Sequence, residues 1–153
     1  MREYLTKTTE LKAVFGEWPI YHRYTHGVAG ERFFRELADQ GRVVASTCPQ
    51  CKRAFVPPSM YCEDCFAEMK EYRPVGDTGA VDSFTILHES LDETTLPEPL
   101  VIALVRFEGV KGGLLAPVKG VAPDQMRIGM KVKTVIDKKK PTYSLRDLSF
   151  KPA

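Results

Sequence analysis

Apolar residues recur at helical spacing once near the start of the chain and at strand spacing repeatedly from its middle onward. Phe33, Phe34, Leu37 and Ala38 mark one face of a short amphipathic helix that starts at Gly30, with Glu31 in its first turn and Gly41 as its stop. Over residues 1–28 the aromatics Tyr4, Phe15, Trp18, Tyr21 and Tyr24 follow no period, and Gly16, Pro19 and Gly27 interrupt any helix. This predicts an arm with short helical pieces, packed on the rest of the chain or on a partner. Arg42 to Thr47 reads as a strand, whereas FAEMKEYRPV after Cys65 carries no assignable pattern.

From Gly79 five strand-like runs follow: GAVDSFTILHES, PLVIALVRFEG, GGLLAPVKG, GMKVKTVID and YSLRDLSFKPA. The breaks between them hold turn-forming residues, including LPEP at 96–99, Gly112-Gly113, Pro123-Asp124 and KKKP at 138–141. Five short antiparallel strands fit a small barrel of the OB type, with an open sheet as the alternative. The chain is therefore expected to be mainly β with short N-terminal helices. An arm and helix over 1–41 precede a metal module over 42–72 and a barrel over 73–153.

Bulk properties narrow the function without choosing it. Hydrophobic residues form 43% of the 153 and charged residues 27%, so the chain folds rather than staying disordered. Its 22 basic and 20 acidic residues leave a net charge of +2, too small a field to hold a polyanion without local arrangement. The opening MREYLTKTTE has no apolar stretch and the run Leu100 to Val105 is too short to cross a bilayer, so a cytoplasmic protein with reduced thiols is expected.

In that setting the four cysteines read as metal ligands. Cys48 and Cys51 form one CxxC pair, Cys62 and Cys65 the other, and two such knuckles complete a tetrahedron of thiolates. A site of that kind has no open position for a water or a substrate carbonyl, so its metal serves folding, and metallohydrolase chemistry is excluded. Disulfide pairing, a redox CxxC and a rubredoxin-type iron in place of zinc are the competing readings. One departure stands out: the residue after each knuckle is usually Gly, and here it is Lys52 and Phe66.

No fifth cysteine remains as an acyl-transfer nucleophile, so the chain alone cannot do thiolase chemistry. His22 and His26 have i,i+4 spacing, but Pro19 and Gly27 interrupt the helix they would need, and with His88 they read as surface or packing residues. Asp92, Glu93 and Glu98 read as a solvated acidic turn. Glycine-rich phosphate loops, dinucleotide fingerprints and nucleophile elbows are absent from the sequence.

The run CPQCKRAFVPPSMYCEDC, followed by TGAVDSFTI, PLVIALVRFEGVKGGLLAPV, RIGMKVKTVI and LSFKPA, resembles a family that joins a rubredoxin-like zinc ribbon to an OB fold and was long catalogued as a domain of unknown function. The similarity spans residues 31–153. It rests on an ordered set: the aromatic helix, the FxPP turn between knuckles, the glycine-led strand, the FEG turn and the IGM-led strand. The resemblance implies a non-catalytic zinc-binding subunit of an acyl-CoA enzyme, because members associate with thiolases, hydroxymethylglutaryl-CoA synthases, or retro-aldolase and hydratase partners. Within that family the resemblance implies thiolysis of benzoylsuccinyl-CoA in aromatic degradation as the partner's reaction. In such a complex the arm and ribbon would dock a thiolase-like subunit and the barrel would help enclose the CoA ester. Lys111, Lys119, Arg127, Lys131 and Lys133 are the candidates to meet its phosphates. Two other functions compete: single-stranded nucleic acid binding, with Lys138 to Lys140 beside Tyr143 as its basic and aromatic elements, and electron transfer at a bound iron.

Overall fold

The computed structural model describes residues 16, 20–90, 92 and 94–153. Tyr4, Phe15 and Trp18 of the expected arm lie outside the described residues. Tyr21 and Tyr24 are exposed and belong to no helix or strand.

The first helix, α1 (Gly27–Arg35), begins earlier than its apolar period suggests and passes into a π-helical turn over Glu36–Gln40. Gly41, at φ +67°, ends it: its own N–H donates to the Leu37 carbonyl at 3.1 Å, and its left-handed turn lets the Arg42 N–H donate to the Glu36 carbonyl at 3.2 Å. Ala29, Phe33, Leu37 and Ala38 form the buried face. Glu31 is thus inside the helix, paired with Arg35, rather than in its first turn. Glu36 is buried, held by Arg32 at 2.9 Å and Arg42 at 2.6 Å; the Arg42 hydrogen bond keeps its carboxyl below the usual range against the opposing effect of burial.

Two sheets follow. The ribbon sheet has the order β3-β1-β2-β6, from β1 (Val44–Thr47), β2 (Ala54–Val56), β3 (Glu71–Pro74) and β6 (Lys111–Gly112). The unassigned stretch after Cys65 supplies β3, paired antiparallel with β1 from Val44↔Pro74 to Thr47↔Glu71. Strand β6 comes from the barrel segment and lies parallel to β2, Val56 opposite Gly112. A side chain at Gly112 would collide with the Val56 carbonyl, so only glycine permits this contact.

The second sheet has the order β7-β5-β4-β8-β9, from β4 (Thr78–Glu89), β5 (Thr95–Phe107), β7 (Leu114–Pro117), β8 (Lys131–Ile136) and β9 (Leu148–Pro152), all antiparallel. Its two edges meet through a parallel bridge from Val118 to Phe150, with the Lys119 N–H donating to the Phe150 carbonyl at 2.7 Å. The sheet therefore curls back on itself as an OB barrel rather than remaining open. Strand β5 runs through Leu96–Pro99, which the sequence reading treats as a break. The ladder jumps there from Leu87↔Leu100 to Glu89↔Thr95, so Pro97 and Pro99 are not asked for a ladder N–H. Within YSLRDLSFKPA only Leu148 onward is strand; Leu145–Asp147 is a 3-10 turn whose start Ser144 caps.

One buried cluster joins the modules: Phe33, Leu37, Val44 and Val56 pack in the same core as Val81, Val105, Val132, Leu148 and Phe150. The ribbon thus rests on the barrel's core and is held rigidly against it.

Candidate metal centre and the cleft beside it

The two knuckles are built alike. In the first, Lys52 N–H donates to the Cys48 carbonyl at 3.1 Å and Cys48 N–H to the Arg53 carbonyl at 2.8 Å. In the second, Phe66 N–H donates to the Cys62 carbonyl at 3.0 Å and Cys62 N–H to the Ala67 carbonyl at 2.9 Å. Closing each turn requires a left-handed residue after the second cysteine. Lys52 at φ +60° and Phe66 at φ +58° adopt that conformation despite their side chains, at a cost of about 1–2 kcal/mol each. The missing glycines therefore leave the geometry intact.

The four sulfurs lie within 4.8 Å of one another, with Cys48 and Cys65 at 3.4 Å and Cys51 and Cys62 at 3.6 Å. A tetrahedron with metal–sulfur bonds of about 2.3 Å has edges of about 3.8 Å, so the set fits one ion. The same distances far exceed the roughly 2.05 Å of a disulfide, and the cysteines are free. Cys48 and Cys62 are buried; Cys51 and Cys65 are half-buried. Burial pushes the Cys48 thiol up, but the N–H groups of Cys51 and Gln50 and its sulfur neighbours bring it down to about 6. The Ala67 N–H favours a Cys65 thiolate, yet its proximity to Cys48 and Cys62, together with burial, pushes it up to about 11. Four thiolates this close repel one another, and a dication relieves that repulsion. With all four ligand positions supplied by protein, the chemistry such an ion would contribute is structural.

Charged side chains tie this centre to the barrel. Asp64, inside the second knuckle, accepts Arg53 of the first at 2.5 Å and Lys111 of β6 at 3.1 Å, and Lys111 also sits over the Phe55 ring at 5.5 Å. Arg53 and then Lys111 hold the Asp64 carboxyl below its usual range.

The other basic candidates are spread over the barrel. Lys119 follows β7 beside β9, Arg127 precedes β8, and Lys131 and Lys133 point outward on either side of buried Val132. Of the basic triplet, Lys138 donates to the Gln40 carbonyl at 3.0 Å, and Tyr143 donates to Asp39 at 3.0 Å, so this loop clasps the end of the π-helical turn. His26 bonds Glu31 at 3.1 Å and lies, like His22, in the segment before α1, outside any metal-ligating group among the described residues. His88 is exposed on β4. Asp92 accepts the hydroxyls of Ser90 and Thr94 in a turn, and Glu98 is exposed on β5; Glu93 lies outside the described residues.

Beside the metal centre an apolar cleft of about 500 Å³ opens between α1, the inter-knuckle turn and β7, lined by Phe33, Phe34, Pro57, Met60, Leu115 and Leu145. Sequence reasoning missed it, because its walls come from distant segments with no common period. Of its lining, Leu115, Met60 and Leu145 are exposed, and the ribbon carries two further exposed aromatics, Tyr61 and Phe66.

Comparison with known proteins matches this architecture. The family model for the ChsH2 rubredoxin-like zinc ribbon domain covers residues 35–70, and that for the ChsH2 C-terminal OB-fold domain covers residues 72–137. A Sulfolobus solfataricus protein of unknown function from the DUF35 family superposes with a TM-score of 0.67 at 35% identity, over 83% of this chain and 87% of that one. The chain belongs to the DUF35 family. The structure of a Ltp2-ChsH2(DUF35) aldolase is also similar to this DUF35 chain, with a TM-score of 0.66 at 28% identity over 85% of this chain and 98% of that one. No curated protein matches this DUF35 member in sequence. None of its described helices is long and apolar enough to span a membrane.

Proposed function

We propose that this chain is the non-catalytic subunit of a cytoplasmic, thiolase-like acyl-CoA enzyme, and that it binds zinc. The observation that carries the reading is the open apolar cleft, with the exposed aromatics Tyr61 and Phe66 on the same ribbon, on a chain whose four cysteines are grouped to hold a metal. Such a surface is costly in water unless something covers it, and the similar Ltp2-ChsH2(DUF35) aldolase supports a partner subunit as the cover. The partner supplies the nucleophile and the acid and base; this chain docks through its ribbon and helix and helps enclose the CoA ester. Lys119, Arg127, Lys131 and Lys133 make no ion pair among the described residues and are the side chains proposed to meet its phosphates, whereas Lys111 would have to leave Asp64. Benzoylsuccinyl-CoA is the proposed acyl substrate of the complex.

The nucleic-acid reading gains nothing from the structure, because Lys138 and Tyr143 are spent on the helix end. Zinc is preferred to iron on the ribbon family match. The test is thiolysis of benzoylsuccinyl-CoA by the partner subunit with and without this chain. Activity that needs both, with no turnover by this chain alone, supports the proposal; equal activity of the partner by itself sinks it.

A further inference from the structure

Lys52 and Phe66 hold the same strained position in the two knuckles, but the side chains differ in what they gain from it. A lysine there is an ordinary solvated charge. Phe66 is 80% exposed, so nearly all the area a phenylalanine could bury, about 150–250 Å² when complete, faces water. Glycine would satisfy the knuckle without strain, so within this chain Phe66 costs backbone energy and gains almost no packing. Non-glycine residues kept in such a conformation cluster at binding sites, and a desolvated aromatic is a common centre of interface energy.

We infer that Phe66 is the anchor by which the second knuckle enters an apolar pocket of the partner subunit. This rests on the docking reading and names its contact point. Tyr61, bridged to Glu68 at the base of the same knuckle, is 56% exposed, and Met60 beside it in the chain lines the cleft. Glu63, in the same knuckle, is exposed and makes no ion pair among the described residues, so the receiving pocket carries Lys or Arg at its rim.

The test compares the full zinc-loaded chain with Phe66→Gly and Lys52→Gly, measuring thermal unfolding of each alone and binding of each to the thiolase-like subunit by calorimetry. Both variants relieve the same backbone strain, so each midpoint should rise by about 1–3 °C. Only Phe66→Gly should weaken binding, by about thirtyfold, as expected for loss of an interface anchor. Equal affinity of Phe66→Gly and the unchanged chain overturns the anchor alone, as does equal weakening by both variants. No complex with the unchanged chain overturns the docking reading and the anchor with it.

Discussion

The Nζ of Lys138 lies 3.0 Å from the carbonyl oxygen of Gln40, a residue 98 positions earlier in the chain. This hydrogen bond places a cation at the carbonyl end of the helical segment, where the backbone dipole favours it, and with Tyr143–Asp39 it fastens the β8–β9 loop to the helix that lines the cleft.

Gly41 sits beneath that contact. A Cβ there would run into the Lys138 side chain, and φ +67° already disfavours any other residue. Gly41→Ala should therefore lower unfolding stability by about 1 kcal/mol or more, read by denaturant titration. An unchanged midpoint would show that loop and helix end are not clasped.

The acid side of the stability profile should be set by two buried carboxylates. Asp147 is desolvated, which raises its pKa, but the Thr142 hydroxyl at 2.7 Å and N–H at 2.9 Å bring it below its usual value of 3.8. Glu36 is likewise below 4.5 through Arg42. Depressed carboxylates contribute stability that is fully present above their unfolded values and is lost as pH falls through the folded ones. Stability should thus be flat from neutral pH down to about 5 and fall steeply below about 4. In Glu36→Gln the fall should be shallower and the neutral plateau lower by about 1–3 kcal/mol. A variant profile parallel to the parent's would remove Glu36 from this role.

Metal removal should not stop at the ribbon. Val44 and Val56 belong to the same core as Val105 and Phe150, and a structural tetrathiolate contributes on the order of 10 kcal/mol to its module. Chelation should therefore unfold the ribbon and lower the barrel's own midpoint, seen as lost dispersion of barrel amide signals in nuclear magnetic resonance. Barrel signals unmoved by chelation would mean that the modules are energetically separate.

What the chain revealed beforehand was what local chemistry writes into local pattern. The cysteine spacing pointed to the four clustered sulfurs, and the apolar runs from Gly79 pointed to the barrel's five strands, because strands such as β5 hide alternate residues, here Val101, Ala103 and Val105. Strand β3 stayed hidden because EYRP is exposed or half-buried throughout and shows no alternation; it is a strand only by pairing with β1. The cross-module pairing of β6 rests on two residues and a missing Cβ at Gly112, which no period reports. At Lys52 and Phe66 residue identity argued against the knuckle turn, and the cysteine hydrogen bonds overrode it. The cleft needed the tertiary fold, since Phe33, Met60 and Leu145 meet only there.

The most direct measurement is native mass spectrometry of the chain isolated gently from its own cells, with metal analysis of the same sample. A hetero-oligomer of this chain with a thiolase-like subunit, carrying one zinc per copy of the chain, is the expected result. A chain recovered as a free monomer, or with iron and no acyl-CoA enzyme attached, would contradict it.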